Sequence, residues 1–277
     1  MNQHAIEIEQ GKRFEFGANW VQFLDVLNDE RIALAEQSLC NMLGVSDLTG
    51  KNFLDIGSGS GLFSLVARRL GATVHSFDYD PQSVACTAEL KRRYCPADPA
   101  WIVEQGSALD RNYLQTLGQW DIVYSWGVLH HTGKMWIALE NLVNNVAQDG
   151  KLFIAIYNDQ GRASKIWWRT KKAYLSLPKL FRWLIMIPCF IRLWGPTTIR
   201  DLMLLKPFNT WITYKKERGM SPFRDVVDWV GGFPFEVATP EQIFDFYRER
   251  DFQMLRMKTC AGGHGCNEFV FQRNNGF

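Results

Sequence analysis

The stretch that most constrains the fold is residues 52–78, NFLDIGSGSGLFSLVARRLGATVHSFD. An apolar run, NFLDI, leads into Gly57, Gly59 and Gly61, then at once into LFSLVARRL with helical period, then into a second β-type run, TVHSFD. Glycines at such a turn let the backbone reverse sharply and approach another group without a Cβ in the way. Strand, glycine turn, helix and strand in that order make a βαβ unit, whose strands lie parallel.

The same alternation continues to about Asn158. A helix follows Asp80-Pro81, then come WIVEQ, DIVYSW, a helix from about Lys134 to Ala147, and KLFIAIY after Asp149-Gly150. Repeated units of this length predict an α/β fold with a parallel sheet covered on both faces. Beyond Tyr157 the alternation stops, and it resumes with Thr239-Pro240-Glu241-Gln242, which reads as an N-cap, a proline at the first helical position and a capping-box partner. FQMLRMKT and NEFVFQ then flank AGGHGC, a glycine-rich turn suited to an antiparallel hairpin at the sheet edge. The expected organisation is a helical N-terminal segment over 1–49, a core over 50–158, a helical insertion over 159–235, and a closing helix and strand pair over 236–277.

The loop does not match a dinucleotide fingerprint. G-x-G-x-x-G counted from Gly57 puts Leu62 at the third glycine, whereas the chain reads D-x-G-x-G-x-G from Asp55. That pattern resembles the cofactor loop of class I S-adenosylmethionine-dependent methyltransferases, over about Asn52 to Asn158. The resemblance implies a seven-stranded Rossmann-like sheet with helices on both faces, an N-terminal helical lid and a large helical insertion after the fifth strand. It also implies S-adenosylmethionine as cofactor, held by Asp55, Gly57, Ser58, Gly59, Gly61, Asp78, Tyr79, Ser107, Ala108 and Trp126. Asp78 ends the second strand, and a carboxylate with two acceptor oxygens suits a vicinal diol. Asp80 reads instead as the N-cap before Pro81. Ser107 stands where the family often has an acid near the adenine.

After the fourth strand comes Ser125-Trp126-Gly127-Val128-Leu129-His130-His131. In open α/β sheets, ligands collect outside the carboxyl ends of the strands. The segment resembles the "VLHH" or "VLEH" of small-molecule methyltransferases related to the ubiquinone-biosynthesis O-methyltransferases. Methyl transfer needs the acceptor positioned and its proton removed, and histidine has a suitable pKa. His130 is the first candidate for that base and His131 the second; the alternative is that either hydrogen-bonds backbone and fixes the loop. Trp20, in RFEFGANW with Asn19, Tyr157 and Asn267 are the expected acceptor-side residues, although Trp20 could equally anchor a helix. Cys260, His264 and Cys266 are one ligand short of a usual zinc set, so no metal is expected.

Between Gly161 and Met220 stand thirteen Lys and Arg against Asp201 and Glu217, in a chain whose net charge is only +2. Such asymmetry suggests an anionic partner, with a solvated basic face as the plain alternative. In Lys165–Leu177, helical period puts Ile166, Trp167, Thr170, Ala173, Tyr174 and Leu177 on one side and Lys165, Arg169, Lys172 and Ser176 on another, as at a membrane interface. LFRWLIMIPCFIRLW follows at 180–194. Its uncharged run is far short of the roughly 20 residues needed to span a bilayer, and Pro188 is expected to interrupt it. The occupants considered for its apolar face are an anionic membrane surface, a hydrophobic or lipid-linked acceptor under a lid, and a second copy in a homodimer.

The activity implied is methyl transfer to a small, hydrophobic or lipid-linked acceptor, with oxygen favoured. The alternatives are a tRNA or other nucleic-acid methyltransferase and a non-catalytic S-adenosylmethionine-binding regulator. Scattered cysteines and the lack of a secretory-type apolar run predict a cytoplasmic protein, peripheral at the inner face of a membrane if the insertion binds lipid.

Overall fold

A computed structural model describes residues 3–218 and 222–274; the side chains of residues 18–19, 21–22, 214–218, 222 and 224, and with them Asn19, lie outside that description. The elements in chain order are α1 (Gln3–Glu9), α2 (Gly17–Val26), α3 (Asp29–Leu43), β1 (Asn52–Ile56), α4 (Leu62–Arg69), β2 (Thr73–Asp78), α5 (Pro81–Tyr94), β3 (Trp101–Gln105), α6 (Arg111–Leu117), β4 (Trp120–Trp126), α7 (Met135–Val143), β5 (Val146–Tyr157), α8 (Arg162–Ser176), α9 (Trp183–Met203), α10 (Asn209–Arg218), α11 (Pro222–Gly231), α12 (Pro240–Arg248), β6 (Phe252–Lys258) and β7 (Cys266–Arg273). They form two compact units: Gly17–Gln160 with Glu236–Phe277, called here the sheet unit, and Met1–Phe16 with Gly161–Phe235, the helical unit. The N-terminal segment is thus divided between them at residue 16.

The sheet unit is built on one seven-stranded sheet of order β3-β2-β1-β4-β5-β7-β6. β1 to β5 run parallel, and β7 lies antiparallel between β5 and β6. Adjacent residues on a strand face opposite sides of the sheet. Phe53 and Phe153 accordingly enter an apolar cluster with Leu65, Trp101 and Tyr124, while their neighbours Leu54 and Ile154 enter a second one with Leu139 and Tyr247. The strand order reverses between β1 and β4, the switch point where open α/β sheets gather ligands.

Local signals hold where they were legible. Asp80 caps α5, its side chain accepting from Gln82 N–H, with Pro81 at the first position. Thr239 and Gln242 form both bonds of the capping box at α12. All six cysteines are free thiols.

The helical unit departs from the periodicity argument in two ways. Trp167 and Tyr174 of α8 are buried together with Lys171, whereas Ile166 is exposed. The aromatic side of α8 therefore fills this unit's interior, because two bulky rings find partners such as Trp229, 5.6 Å from Trp167 between ring centroids. α9 also runs unbroken through Pro188 and Pro196 for 21 residues. Each proline removes one hydrogen bond, which the rest of a long ladder can tolerate. Among the described residues, no helix is long and apolar enough to cross a membrane.

Candidate functional site

The glycine loop joins β1 to α4 at the switch point. Gly57 has φ +79°, and a Cβ there would lie 2.4 Å from Val128 Cγ1, so only glycine admits both the turn and the segment after β4. The Gly57 and Ser58 N–H groups donate to Phe77 O at 2.8 and 3.1 Å, tying the loop to β2. Thr87 of α5 supports it from below: its hydroxyl is 2.9 Å from Ser58 Oγ and donates to Gly59 O at 3.3 Å.

Asp78 closes the same loop from the end of β2. Oδ2 accepts Gly59 N–H at 2.9 Å and Oδ1 accepts Asp80 N–H at 2.9 Å. Burial pushes its carboxyl up to about 6, opposed by those backbone donors. Each oxygen retains acceptor capacity, since a carboxylate offers about four lone-pair sites.

Asp55 lies elsewhere. It is 2% exposed and ends a buried chain in which Trp101 Nε1 donates to Ser76 Oγ at 2.8 Å, the Ser76 and Ser64 hydroxyls meet at 2.7 Å, and Ser64 Oγ donates to Asp55 Oδ2. Burial raises its carboxyl to about 7. The chain joins β1, β2, β3 and α4, so Asp55 braces the loop from inside. Ser107 Oγ accepts Leu109 N–H at 3.2 Å, the buried Ala108 offers its carbonyl to Asn141 Nδ2 at 3.0 Å, and Gln105 Nε2 donates to Tyr79 O at 3.1 Å. Trp126, at the end of β4, is 44% exposed.

Trp20 reaches this site from α2: a Cβ on Gly59 would sit 3.1 Å from its indole. The approach depends on Gly17, whose N–H donates to Asp80 Oδ2 at 2.8 Å and whose missing Cβ would lie 2.4 Å from that same oxygen. Asp80 thus caps α5 and also receives the first turn of α2.

The two histidines form a ring cluster with Tyr157. His130 stacks 3.8 Å from Tyr157 and 4.5 Å from His131, and His131 meets Tyr157 edge-on at 5.3 Å. His130 is fully buried, its Nδ1 accepting Tyr157 N–H at 3.3 Å and its carbonyl accepting Glu236 N–H at 2.9 Å. Asn267 is turned inward: Nδ2 donates to Asn158 Oδ1 at 3.0 Å, and Oδ1 accepts Cys260 N–H at 3.1 Å. It pins the β6–β7 turn. Among the described residues, no group of three or more His, Cys, Asp or Glu could hold a metal ion.

Sequence reasoning thus found the loop, Asp78 and the histidines, which the structure places at the ends of β1, β2 and β4. It missed Gly17, Thr87, Val128 and the Trp101–Ser76–Ser64 chain, whose contacts join residues far apart in sequence and leave no local pattern.

A parallel sheet with a glycine loop and an acid at its switch point, closed by an antiparallel strand pair, defines a Rossmann-like methyltransferase fold. The chain belongs to the class I S-adenosylmethionine-dependent methyltransferases: the methyltransferase-domain family matches residues 29–204. It is similar to the ribosomal protein L11 methyltransferase of Methylococcus capsulatus, 39% identical over 75 residues, 26% of this chain and 26% of that protein. It is also similar to the tRNA U34 carboxymethyltransferase of Ectopseudomonas mendocina, 30% identical over 148 residues, 50% of this chain and 44% of that protein. The alignments therefore span less than half the length of these curated relatives. In fold it resembles the magnesium protoporphyrin IX methyltransferase of Synechocystis PCC 6803, solved with bound SAH, with a TM-score of 0.52 and 13% identity over 88% of this chain and 84% of that one.

Proposed function

We propose that this chain transfers the methyl group of S-adenosylmethionine to a small, hydrophobic or lipid-linked acceptor, most readily at oxygen. The observation that carries the cofactor half is the pairing of Asp78 with Gly59: a carboxylate fixed by two backbone N–H groups against a glycine loop. That donor and acceptor set fits the cofactor's ribose diol, and the loop leaves backbone rather than side chain for close approach. Gly57, Ser58, Gly59 and Gly61 would lie against its methionine and ribose part, with Tyr79, Ser107, Ala108 and Trp126 around the adenine. The cofactor supplies an electrophilic methyl carbon and a neutral thioether leaving group.

The protein's own task is to orient the acceptor and take its proton. Because Nδ1 of His130 already accepts the Tyr157 N–H, protonating that nitrogen would break the bond that holds the ring. We therefore assign His130 to positioning and His131 to proton uptake, with Tyr157 and Trp20 bordering the acceptor. Asn267 acts through the turn it pins, and Asp55 through the loop it braces. The protein is proposed to work in the cytoplasm, on an acceptor presented at a lipid surface.

A nucleic-acid acceptor is the second reading, favoured by the basic, aromatic-rich segment and by the tRNA-acting relative. Calorimetry with S-adenosylhomocysteine tests the cofactor site, and no heat from folded protein would refute it. A metabolite screen reading S-adenosylhomocysteine release, with tRNA as a parallel arm, separates the acceptors. His131→Gln is expected to lower kcat about 100-fold with cofactor affinity unchanged and to remove the rising limb of the pH profile. His130→Gln should move KM and kcat together while keeping that limb.

A further inference from the structure

The helical unit carries a surface that methyl transfer does not use. On α9, Leu184, Ile187, Ile191, Ile199 and Leu202 are all exposed, and their spacings of 3, 4, 8 and 3 residues approximate whole turns, so they form one stripe. At about 1.5 Å per residue the stripe is roughly 27 Å long. Leu180 and Phe181 extend it at the start, and Met203, Leu204, Leu205 and Phe208 at the end, with Leu180 76% and Leu205 89% exposed. The opposite side of the helix, through Met186, Cys189, Trp194 and Asp201, is buried.

The charge around this stripe is of one sign. Lys179, Arg192 and Lys206 are exposed, and Asp201 is the lone acid of residues 162–213. That carboxylate is buried and committed, accepting from Thr210 N–H and Thr210 Oγ1, each at 2.6 Å, and pairing with Arg200 at 3.7 Å. No acid on this stretch is exposed to offset the cations.

We propose that this face, Leu180 to Phe208, docks in the plane of an anionic lipid bilayer, with the aliphatic stripe in the acyl boundary and the cations among the headgroups. Apolar side chains bordered by lysine and arginine on a helix that cannot span are the pattern of an interfacial helix. A second copy of the chain fits less well: a two-fold interface along the stripe would set the same unneutralised cations against each other. Nucleic acid would leave the length of the stripe, Leu and Ile, against phosphates and sugars, because the exposed rings Phe181, Trp183 and Phe208 stand only at its two ends. A folded partner would need a groove matched to each of these side chains along the whole helix, whereas lipid tails accommodate them all.

The site differs from the aromatic face of α8 that sequence period suggested, since Trp167 and Tyr174 are buried. It does not rest on the methyltransferase reading, and the test keeps the two apart. The full chain is sedimented at physiological salt with vesicles of phosphatidylcholine alone and of phosphatidylcholine with phosphatidylglycerol. Binding is expected only to the anionic vesicles, weakened by added salt. The variant Ile187→Ser/Ile191→Ser/Leu202→Ser changes exposed residues only and is expected to reduce binding about tenfold or more. Its calorimetric response to S-adenosylhomocysteine should equal that of the parent, which also reports that it is folded. Arg192→Gln/Lys206→Gln should reduce the preference for anionic lipid about tenfold or more. Protein that stays in the supernatant overturns the proposal, as does a triple variant that binds as the parent does. A dimer or tRNA complex abolished by the triple variant, without vesicle binding, would assign the face to that partner instead.

Discussion

The two units of this chain handle apolar and charged side chains in opposite ways. In the sheet unit, neighbouring strand residues enter clusters on both faces, and the buried polar groups are joined in chains such as Trp101–Ser76–Ser64–Asp55. In the helical unit, a 21-residue helix leaves much of its aliphatic surface exposed, while a lysine on the preceding helix is enclosed. Lys171 donates to Trp229 O, and its ammonium lies 4.4 Å from the Trp229 ring centroid and 4.7 Å from that of Phe235. A ladder-bonded sheet dictates where each side chain points. A helix fixes only its own faces, so what they meet is decided by partners.

The comparison breaks most sharply at Gly57. Gly57→Ala forces a side chain into a left-handed turn against Val128, and should cost about 2–3 kcal/mol of stability and roughly 100-fold in S-adenosylhomocysteine affinity. Chemical denaturation and calorimetry read the two effects separately. Asp78→Ala is next. Losing the acceptor of Gly59 N–H should weaken S-adenosylhomocysteine by about 10–100-fold, about 1.4–2.8 kcal/mol.

The pH dependence then distinguishes the units. Asp55 is raised to about 7 from an ordinary value of about 3.9, so the folded state binds more protons than the unfolded between those values. Stability of the protein without cofactor should fall as pH rises through that window, by about 2–4 kcal/mol, with Asp78 adding in the same direction. Asp55→Asn, able to keep the Ser64 bond, should flatten the slope; an unaltered slope in urea titrations would remove Asp55 as its source. Lys171 has the opposite sign. Burial lowers it to about 7, so the folded state binds fewer protons above that value and stability should rise from pH 7 toward 10. Lys171→Met is expected to remove that rise, about 1–3 kcal/mol, in urea titrations run at each pH.

The fold was legible from alternation because strand and helix periods are local, and the caps at Asp80 and Thr239 could be seen within four residues. The glycine loop was legible for the same reason. Asp55 was harder to place, since nothing in D-x-G-x-G-x-G tells whether its first residue faces the ligand or the interior. The histidine pair was visible as a pair, but the roles of its members were not. The Tyr157 N–H that occupies His130 Nδ1 comes from a strand 27 residues away.

What the sequence determined by itself was a parallel α/β sheet with its glycine turn and the acid at the end of the second strand, and a basic insertion with an apolar stretch inside it. These follow from backbone periodicity and steric permission, which operate over a few residues. Tertiary structure alone decided that Asp55 faces inward, that Gly17 lets α2 bring Trp20 to the loop, and that α8 buries Trp167 and Tyr174 while α9 exposes its aliphatics. Each of these depends on which distant surface a side chain meets, and burial is a property of that encounter rather than of the residue.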